Sequence, residues 1–309
     1  MSEFKISVCI PVYNVEAYIQ RCIESLLSQS LKDIEIIIVN DCTLDSSMEI
    51  VREYALKDSR IRIVEHDVNH GLMMARRTGY MIARGDYITF CDSDDSLPSD
   101  ALELLYNEAI ATEADIVSGT IACISIDGNH HRWTDKLSYG TDRISAFKSL
   151  LSMEFKHNLC SRLFRRELLQ NYPYNTYENT TNGEDGMLFY QVIQNAKKIV
   201  KIDSVVYNYY QNLQSSTNAK ISNDALMRLV LFYNYVVSIS CFDRELKYLS
   251  LRYSTYNLNE FALGQGYSRM RSIVLEYSDI PFLSIRFRLK YMNLMQNLRW
   301  YLKYMLSNR

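Results

Sequence analysis

The 309-residue chain has little net charge and no long hydrophobic segment. Its 34 basic and 36 acidic residues give a formal charge of −2, so the overall charge does not favour binding to nucleic acid. The longest charge-free apolar stretch, residues 229–242, is too short to span a bilayer comfortably. These features are those of an ordinary globular protein without a membrane span.

The seven cysteines are scattered without paired spacing, which argues against a disulfide framework or a zinc site. Several lie in apolar runs, as buried thiols do in a reducing compartment. The N-terminus leads directly into a predicted strand, so we expect no signal peptide. Together these features predict a cytoplasmic protein.

Two glycine-rich phosphate-binding motifs are also absent. No Gly-x-Gly-x-x-Gly follows the first predicted strand, and there is no Walker lysine loop, which disfavours dinucleotide dehydrogenases and P-loop enzymes. A diphosphate would therefore need another binder, such as a metal ion held by carboxylates. The 24 tyrosines, against two tryptophans, weakly favour a sugar or nucleotide ligand because their rings stack on such groups.

Three aspartates follow a short β-branched and aromatic run at residues 87–91, which is typical of a buried strand. Asp92 and Asp94 can direct two oxygen donors toward one hard cation, and the carboxyl end of a strand is where open α/β sheets bind ligands. We therefore predict a metal–diphosphate site here. For Asp95 the pattern favours a cap of the next helix instead.

A calcium loop is the competing interpretation, because Asp92, Asp94 and Glu103 occupy its first, third and twelfth positions. Its sixth position is Leu97, where the sharp turn needs Gly, and a strand rather than a helix precedes the loop. Both features argue against it.

Strand-like and helix-like patterns alternate through the first 92 residues. They occupy residues 5–10, 19–27, 34–39, 45–55, 61–64, 72–83 and 87–91. This alternation predicts a Rossmann-like α/β fold, a mostly parallel sheet flanked by helices. Pro11, Asp41 and Asp92 should then lie together at one edge of the sheet. Asn14 is expected to cap the first helix and Gly85 to end the third.

Four segments resemble, in order, the signatures of family-two inverting glycosyltransferases of GT-A fold, of the bacterial surface-polysaccharide type. They are residues 7–14, 39–45, 69–79 and 92–95. The resemblance implies a nucleotide-sugar site formed by Pro11, Val12, Tyr13, Asp41, Asn69, Arg76, Asp92 and Ser93. It also implies that Asp94 and Asp92 hold a divalent metal ion, Mn²⁺ or Mg²⁺, that bridges the two phosphates.

The sequence departs from the family pattern at several positions. Cys42 stands where the family commonly has Gly, and Arg77 where it commonly has Asn. Arg162 occupies a basic position typical of these enzymes, but the Trp-Asn that usually precedes it is missing. At 210–212 the family often has Arg or His, so a weaker third metal contact is implied.

Glu184 and Asp185 form a second acidic constellation, between two glycines and just before a predicted helix. In isolation such a pair would be N-terminal helix charges stabilised by the macrodipole. In this context it resembles the Glu-Asp pair of the family, whose Asp is the catalytic base. An inverting transfer needs a carboxylate to take the acceptor proton. We therefore predict Asp185 as the base and Glu184 as an acceptor-hydroxyl contact or electrostatic partner.

The resemblance fades after residue 218. We expect a GT-A domain at 1–218, with a nucleotide-sugar half at 1–120 and an acceptor half at 121–218, and a helical region at 219–309. Helices are predicted at 222–242, 243–263 and 281–306. The basic, amphipathic tail at 282–309 favours equally a packing helix and a membrane-surface contact for a lipid-linked acceptor.

The expected function is metal-dependent transfer of a sugar from a UDP-sugar to a hydroxyl of a saccharide acceptor, lipid-linked, in surface polysaccharide biosynthesis. The alternative is a non-catalytic sugar-nucleotide or glycan-binding module on the same fold. Asp92, Asp94 and Asp185 argue against it, since a binder has no use for a base. The sequence leaves the donor sugar, the acceptor, the linkage and the oligomeric state open, and transfer onto a protein or a soluble saccharide is the alternative within the class.

Overall fold

A computed structural model of the chain describes residues 3–127, 129–178, 180, 183–212, 223–241 and 243–265. The chain divides into two compact units, Met1–Ala219 and Lys220–Arg309. The strands described in the first unit are β1 (Ile6–Val12), β2 (Ile34–Asn40), β3 (Ile61–Glu65), β4 (Tyr87–Phe90), β5 (Ile116–Ile124), β6 (His130–Trp133), β7 (Arg162–Arg165) and β8 (Ile199–Tyr210). Its described helices are α1 (Ile19–Leu27), α2 (Ser47–Ala55), α3 (Leu72–Ile82), α4 (Ala101–Thr112), α5 (Arg143–Leu151), α6 (Arg166–Gln170) and α7 (Glu184–Ile193).

The strands form one mixed sheet in the order β3-β2-β1-β4-β7-β5-β6, with β8 paired to β5. The first four strands of this order are parallel, as the alternating sequence pattern predicts. β7 runs antiparallel to both β4 and β5, whereas β8 is parallel to β5. The carboxyl ends of β4 and β8 therefore lie at the same edge of the sheet.

Continuous apolar runs explain why the central strands are buried on both faces. All seven residues of β1 and all seven of β2 are buried, which is typical of parallel strands covered by helices. Helix α1 buries one stripe against them, at Ile19, Cys22, Ile23 and Leu26. This rigid half of the sheet supports the loops at its carboxyl edge.

Gly85 does not end α3, so that prediction is wrong. The helix ends before Ala83, which is already in an extended conformation. A Cβ atom at position 85 would lie 2.6 Å from the backbone nitrogen of Ser7. Gly85 therefore allows the close approach of the chain to β1 just before β4 begins.

The second unit contains helices α8 (Asn223–Ser238) and α9 (Arg244–Gln265). Tyr233 and Tyr253 pack with ring centres 6.0 Å apart, and the hydroxyl of Ser254 donates to the Tyr233 carbonyl. The third predicted helix and the basic tail lie outside the described residues. Within the described ranges, no helix has both the length and the apolar character that a membrane span requires.

Candidate active site

The candidate site lies at the edge of the sheet where β1, β2 and β4 end. These strands are parallel, so their carboxyl ends meet there. Pro11 and Val12 are the buried last residues of β1, and the next residue, Tyr13, is 42% exposed. Asp41 follows β2, and Asp92 lies two residues beyond β4. The structure brings the strand ends together as predicted, whereas contact of these residues with a nucleotide stays a prediction.

Asn14 joins the loops that follow β1 and β2. Its backbone N–H donates to Thr43 Oγ1 at 2.7 Å, and its side-chain oxygen accepts from the Leu44 N–H at 3.2 Å. Asn14 has a φ of +54°, in the left-handed region that Asn tolerates. Since α1 begins only at Ile19, the predicted cap is wrong. Asn14 instead fixes the loop that carries Tyr13.

Asp41 is the buried anchor of the loop after β3. Its Oδ1 accepts from the backbone N–H of His70 at 2.9 Å, and its Oδ2 accepts from that of Gly71 at 2.8 Å. Oδ1 also lies 2.7 Å from Nδ1 of His66, whose Nε2 lies 2.8 Å from the hydroxyl of Thr78. Both oxygens of the carboxylate are thus engaged within the protein. Asp41 shapes this side of the site by holding the loop, a role that the sequence did not indicate.

Two departures from the family pattern have different structural consequences. Cys42 has a φ of +60°, in a region that favours glycine. Because cysteine has a Cβ atom, its backbone is strained in this conformation. Arg77 is exposed and donates to the hydroxyl of Thr176 at 3.2 Å.

Asn69 is exposed on the loop that Asp41 holds. Its predicted role in nucleotide binding stays a prediction.

The loop after β4 carries the two predicted metal ligands. The carboxylate of Asp92 is 30% exposed, and the buried Ser93 separates it from Asp94. Burial raises the pKa of Asp94, and the negative charge of Asp92 raises it further. A divalent cation fits this pair because it would relieve their repulsion. No cluster of three potential metal ligands occurs among the described residues. A Mg²⁺ ion held by two carboxylates ordinarily keeps several waters.

Asp95 does not cap a helix but holds β8 against this loop. Its Oδ2 accepts from the Tyr207 hydroxyl at 2.7 Å, and its Oδ1 accepts from the Tyr210 N–H at 2.8 Å. The hydroxyl of Tyr207 also accepts from the Asp92 N–H at 3.1 Å. Burial, with the charges of its neighbours, raises the pKa of Asp95 well above its usual range. The cap prediction is wrong because α4 begins only at Ala101.

Arg21 also supports the metal loop, although no motif indicated it. Its guanidinium donates to the backbone carbonyl of Asp94 and lies 3.7 Å from the ring centre of Tyr210. The residues just after Tyr210 also lie near α1, because the Tyr18 hydroxyl donates to the side-chain oxygen of Asn212 at 3.3 Å. An arginine on the polar side of an amphipathic helix ordinarily faces solvent, so the sequence carries no local signal for this contact.

Arg76 joins the acid that follows β4 to the two acids that begin α7. It lies on α3 with 2% of its side chain exposed. Its Nη2 donates to Asp92 Oδ1 at 2.7 Å, and its Nη1 donates to Asp185 Oδ1 at 2.6 Å and to Glu184 Oε1 at 3.2 Å. Sequence reasoning had assigned Arg76 to the nucleotide pocket, but both terminal nitrogens bind carboxylates.

Glu184 and Asp185 occupy the first turn of α7, after Gly183 with its φ of +88°. Glu184 is 9% exposed, and its Oε2 is buried without a hydrogen-bond partner among the described residues. The Oδ2 of Asp185 accepts only a long bond, at 3.4 Å, from the Leu159 N–H. Both acids thus have an oxygen with little or no protein contact, beside the one that binds Arg76.

The pKa of Asp185 is raised from 3.8 to about 7. Burial is the main cause, and the negative charges of Glu184 and Asp92 act in the same direction. The positive charge of Arg76 opposes them. A carboxyl group with this pKa can exchange a proton near neutral pH, as a general base must.

Arg162 lies in the core rather than in the site. It is fully buried, and its Nη2 donates to Asp135 Oδ2 at 2.7 Å and to the Lys156 carbonyl at 2.5 Å. Its guanidinium also lies 4.4 Å from the ring centre of Phe189 and 4.6 Å from that of Phe155. These contacts give this basic position a structural role under α7.

Comparison with known proteins identifies relatives of this chain. The sequence model of the family described as Glycosyl transferase family 2 matches residues 7–173. The uncharacterized glycosyltransferase EpsJ of Bacillus subtilis is 36% identical over 224 residues, which are 69% of this chain and 62% of EpsJ. The poly(ribitol-phosphate) beta-glucosyltransferase of Bacillus spizizenii is 32% identical over 209 residues, 67% of this chain and 32% of that protein. The chain thus spans less than two thirds of the length of these relatives.

Among solved structures, that of S. aureus TarS in complex with UDP-GlcNAc resembles this chain with a TM-score of 0.66. The match covers 96% of this chain and 78% of the TarS chain at 18% sequence identity. Identity at this level shows the fold alone. The predicted GT-A α/β fold with a helical C-terminal region is confirmed.

Proposed function

Because the chain belongs to Glycosyl transferase family 2, we propose that it is an inverting, metal-dependent glycosyltransferase that moves a sugar from a UDP-sugar to a hydroxyl of a saccharide acceptor. The main support is the environment of Asp185, whose carboxyl has a pKa of about 7. That carboxyl shares Arg76 with Asp92, which follows β4 on the expected donor side. A base and a donor-side acid are thus within reach of the same guanidinium.

In the proposed reaction, Asp185 takes the proton of the acceptor hydroxyl while that oxygen forms a bond to the anomeric carbon. The bond from that carbon to the diphosphate oxygen breaks on the opposite face, so UDP leaves and the configuration is inverted. Glu184 accepts a hydrogen bond from the acceptor, which would satisfy its buried Oε2. A Mn²⁺ or Mg²⁺ ion, when bound by Asp92 and Asp94, would neutralise charge on the leaving diphosphate.

The proposed substrates follow from the relatives. TarS was solved with UDP-GlcNAc, which supports a UDP-sugar donor here, and the Bacillus spizizenii relative is named for a polymer substrate. We assign donor binding to Pro11, Val12, Tyr13, Asn69 and Ser93, and to Asp41 the role of holding the loop that carries Asn69. The acceptor is proposed to be a lipid-linked saccharide of surface polysaccharide biosynthesis, reached from the cytoplasmic side, and the basic, amphipathic sequence at 282–309 is proposed to contact the membrane surface.

The first experiment is UDP release from a panel of UDP-sugars, with Mn²⁺ or Mg²⁺ and then with a chelator. Release from one donor that the chelator abolishes is expected, and Asp94→Ala should remove it. Asp185→Asn should lower turnover by about 10² to 10⁴, the range for loss of a general base. Asp203→Asn is the matched control, because its carboxylate is 81% exposed and pairs only with Lys201 among the described residues.

The outcomes separate the two candidate functions. UDP binding without turnover, and equal behaviour of wild type and Asp185→Asn with acceptor present, would favour a non-catalytic binding module. Absence of both turnover and UDP binding in calorimetry would overturn the proposed function.

A further inference from the structure

Both terminal nitrogens of the Arg76 guanidinium already donate to carboxylates. Nη1 is shared between Asp185 and Glu184, and Nη2 binds Asp92, all within 3.2 Å. The side chain is 2% exposed, and its Nε is buried without a hydrogen-bond partner among the described residues. The two remaining N–H groups, on Nε and Nη2, belong to a side chain that is almost fully buried, so a nucleotide contact would require a rearrangement of the surrounding acids.

The three carboxylates come from two segments that are far apart in the sequence. Asp92 follows β4, whereas Glu184 and Asp185 begin α7. Within the part of the chain that the structure describes, Arg76 is the only cation that forms an ion pair with any of them. Three acids around one site repel one another, so their relative positions depend on this guanidinium.

The geometry of the contact suits arginine better than lysine. A planar guanidinium presents donors in fixed directions and can bridge several carboxylates, whereas the ammonium of lysine is a single compact charge on a flexible stem. The other hydrogen-bond donor to Asp185 is the Leu159 N–H, whose nitrogen is 3.4 Å from Oδ2. This long bond constrains the carboxylate only weakly. The direction in which Asp185 presents its second oxygen is therefore set mainly by Arg76.

We propose that Arg76 is a positioning residue that holds the base Asp185 in register with Asp92 on the donor side, rather than a contact to the nucleotide. This inference rests on the proposed function. It predicts that loss of Arg76 impairs the chemical step while UDP still binds, because displacement of a catalytic group by about 1 Å can cost about 10²-fold in rate.

The test compares Arg76→Gln and Arg76→Lys with Arg77→Gln, a control one residue away whose arginine is exposed and binds Thr176. Arg76→Gln should lower kcat about 10²-fold with the KM for the donor and the Kd of UDP within about threefold. Arg76→Lys should recover part of the loss, and Arg77→Gln should leave kcat unchanged. A Kd of UDP that rises in step with the loss of activity, or an unchanged kcat, would overturn the inference.

A double-mutant cycle excludes a purely structural role. When Asp185→Asn has already removed the base, adding Arg76→Gln should lower kcat little further, since there is no base left to position. Losses that multiply would overturn the inference. Arg76→Gln leaves buried acids unpaired and could destabilise the fold. The double variant Arg76→Gln with Glu184→Gln therefore removes one acid together with the cation. Thermal unfolding checks that each variant is folded. An inactive wild type would refute the proposed function, whereas an active wild type with multiplying losses would refute only the role of Arg76.

Discussion

Turnover should fall as the pH drops below about 7, because the proposed base then becomes protonated. Burial, with the charges of Glu184 and Asp92, raises the pKa of Asp185 from 3.8 to about 7 against the opposing charge of Arg76. A general base acts only in its ionised form. The acid side of the pH–rate profile therefore reports the environment of this one carboxyl.

The size of the effect follows from the pKa. With a pKa of about 7, about one molecule in ten carries an ionised Asp185 at about pH 6, and about one in a hundred at about pH 5. The kcat/KM for the donor should then fall about tenfold for each pH unit below 7. An aspartate with its ordinary pKa would stay about 98% ionised at about pH 5.5, and the profile would be flat there.

The assay is UDP release at subsaturating donor, because kcat/KM reports groups of the free enzyme. UDP binding measured over the same range shows whether donor affinity changes with pH. Glu184→Gln should move the midpoint to lower pH, since it removes a negative charge that raises the pKa of Asp185. A rate that is constant between about pH 5.5 and 8 would refute the assignment of Asp185 as a base with a raised pKa.

Three predictions concern stability in urea titrations. Gly85→Ala should lower the free energy of unfolding by about 1–3 kcal/mol, because the added Cβ would lie 2.6 Å from the Ser7 nitrogen; an unchanged value would contradict the close approach. Asp135→Ala should cost about 3–5 kcal/mol, because it leaves Arg162 buried without its carboxylate, and equal stability would contradict a buried ion pair. The raised pKa of Asp185 means that the folded state prefers the neutral carboxyl, so the contribution of this group to the stability of the wild type should fall as the pH rises from about 4 to about 7. Asp185→Asn should therefore gain relative stability as the pH rises, and a constant difference would contradict the shift.

Much of the parallel part of the sheet could be predicted, because the sequence patterns that indicate its strands are local. The β-branched runs at 34–40 and 6–12 are buried along their whole length, as continuous apolar strands in a parallel sheet must be. Acids after such strands were placed correctly at one edge, since parallel strands end together. The helix α1 follows from its apolar spacing alone.

The errors arose where a distant segment competes with a local pattern. Asp95 has the sequence context of a helix cap, but β8 brings Tyr207, 112 residues away, within 2.7 Å of its carboxylate. Gly85 stands where a helix could end, but the nearby β1 backbone is what requires a glycine. Asn14 binds the loop after β2 instead of capping α1. Each local propensity is worth only about 1 kcal/mol, so two or more tertiary contacts made by the same residue can override it.

The order of strands and helices in residues 1–120, and the strand ends at which the acids stand, can be read from the sequence, because hydrophobic periodicity and strand direction are properties of contiguous residues. The contacts that those acids make depend on the fold. Arg76 meets Glu184 and Asp185 across 108 and 109 residues, and the low dielectric of the buried site makes their charges pair and raises the pKa of Asp185. Such coupling depends on burial and on distances between remote segments, which no stretch of contiguous sequence contains.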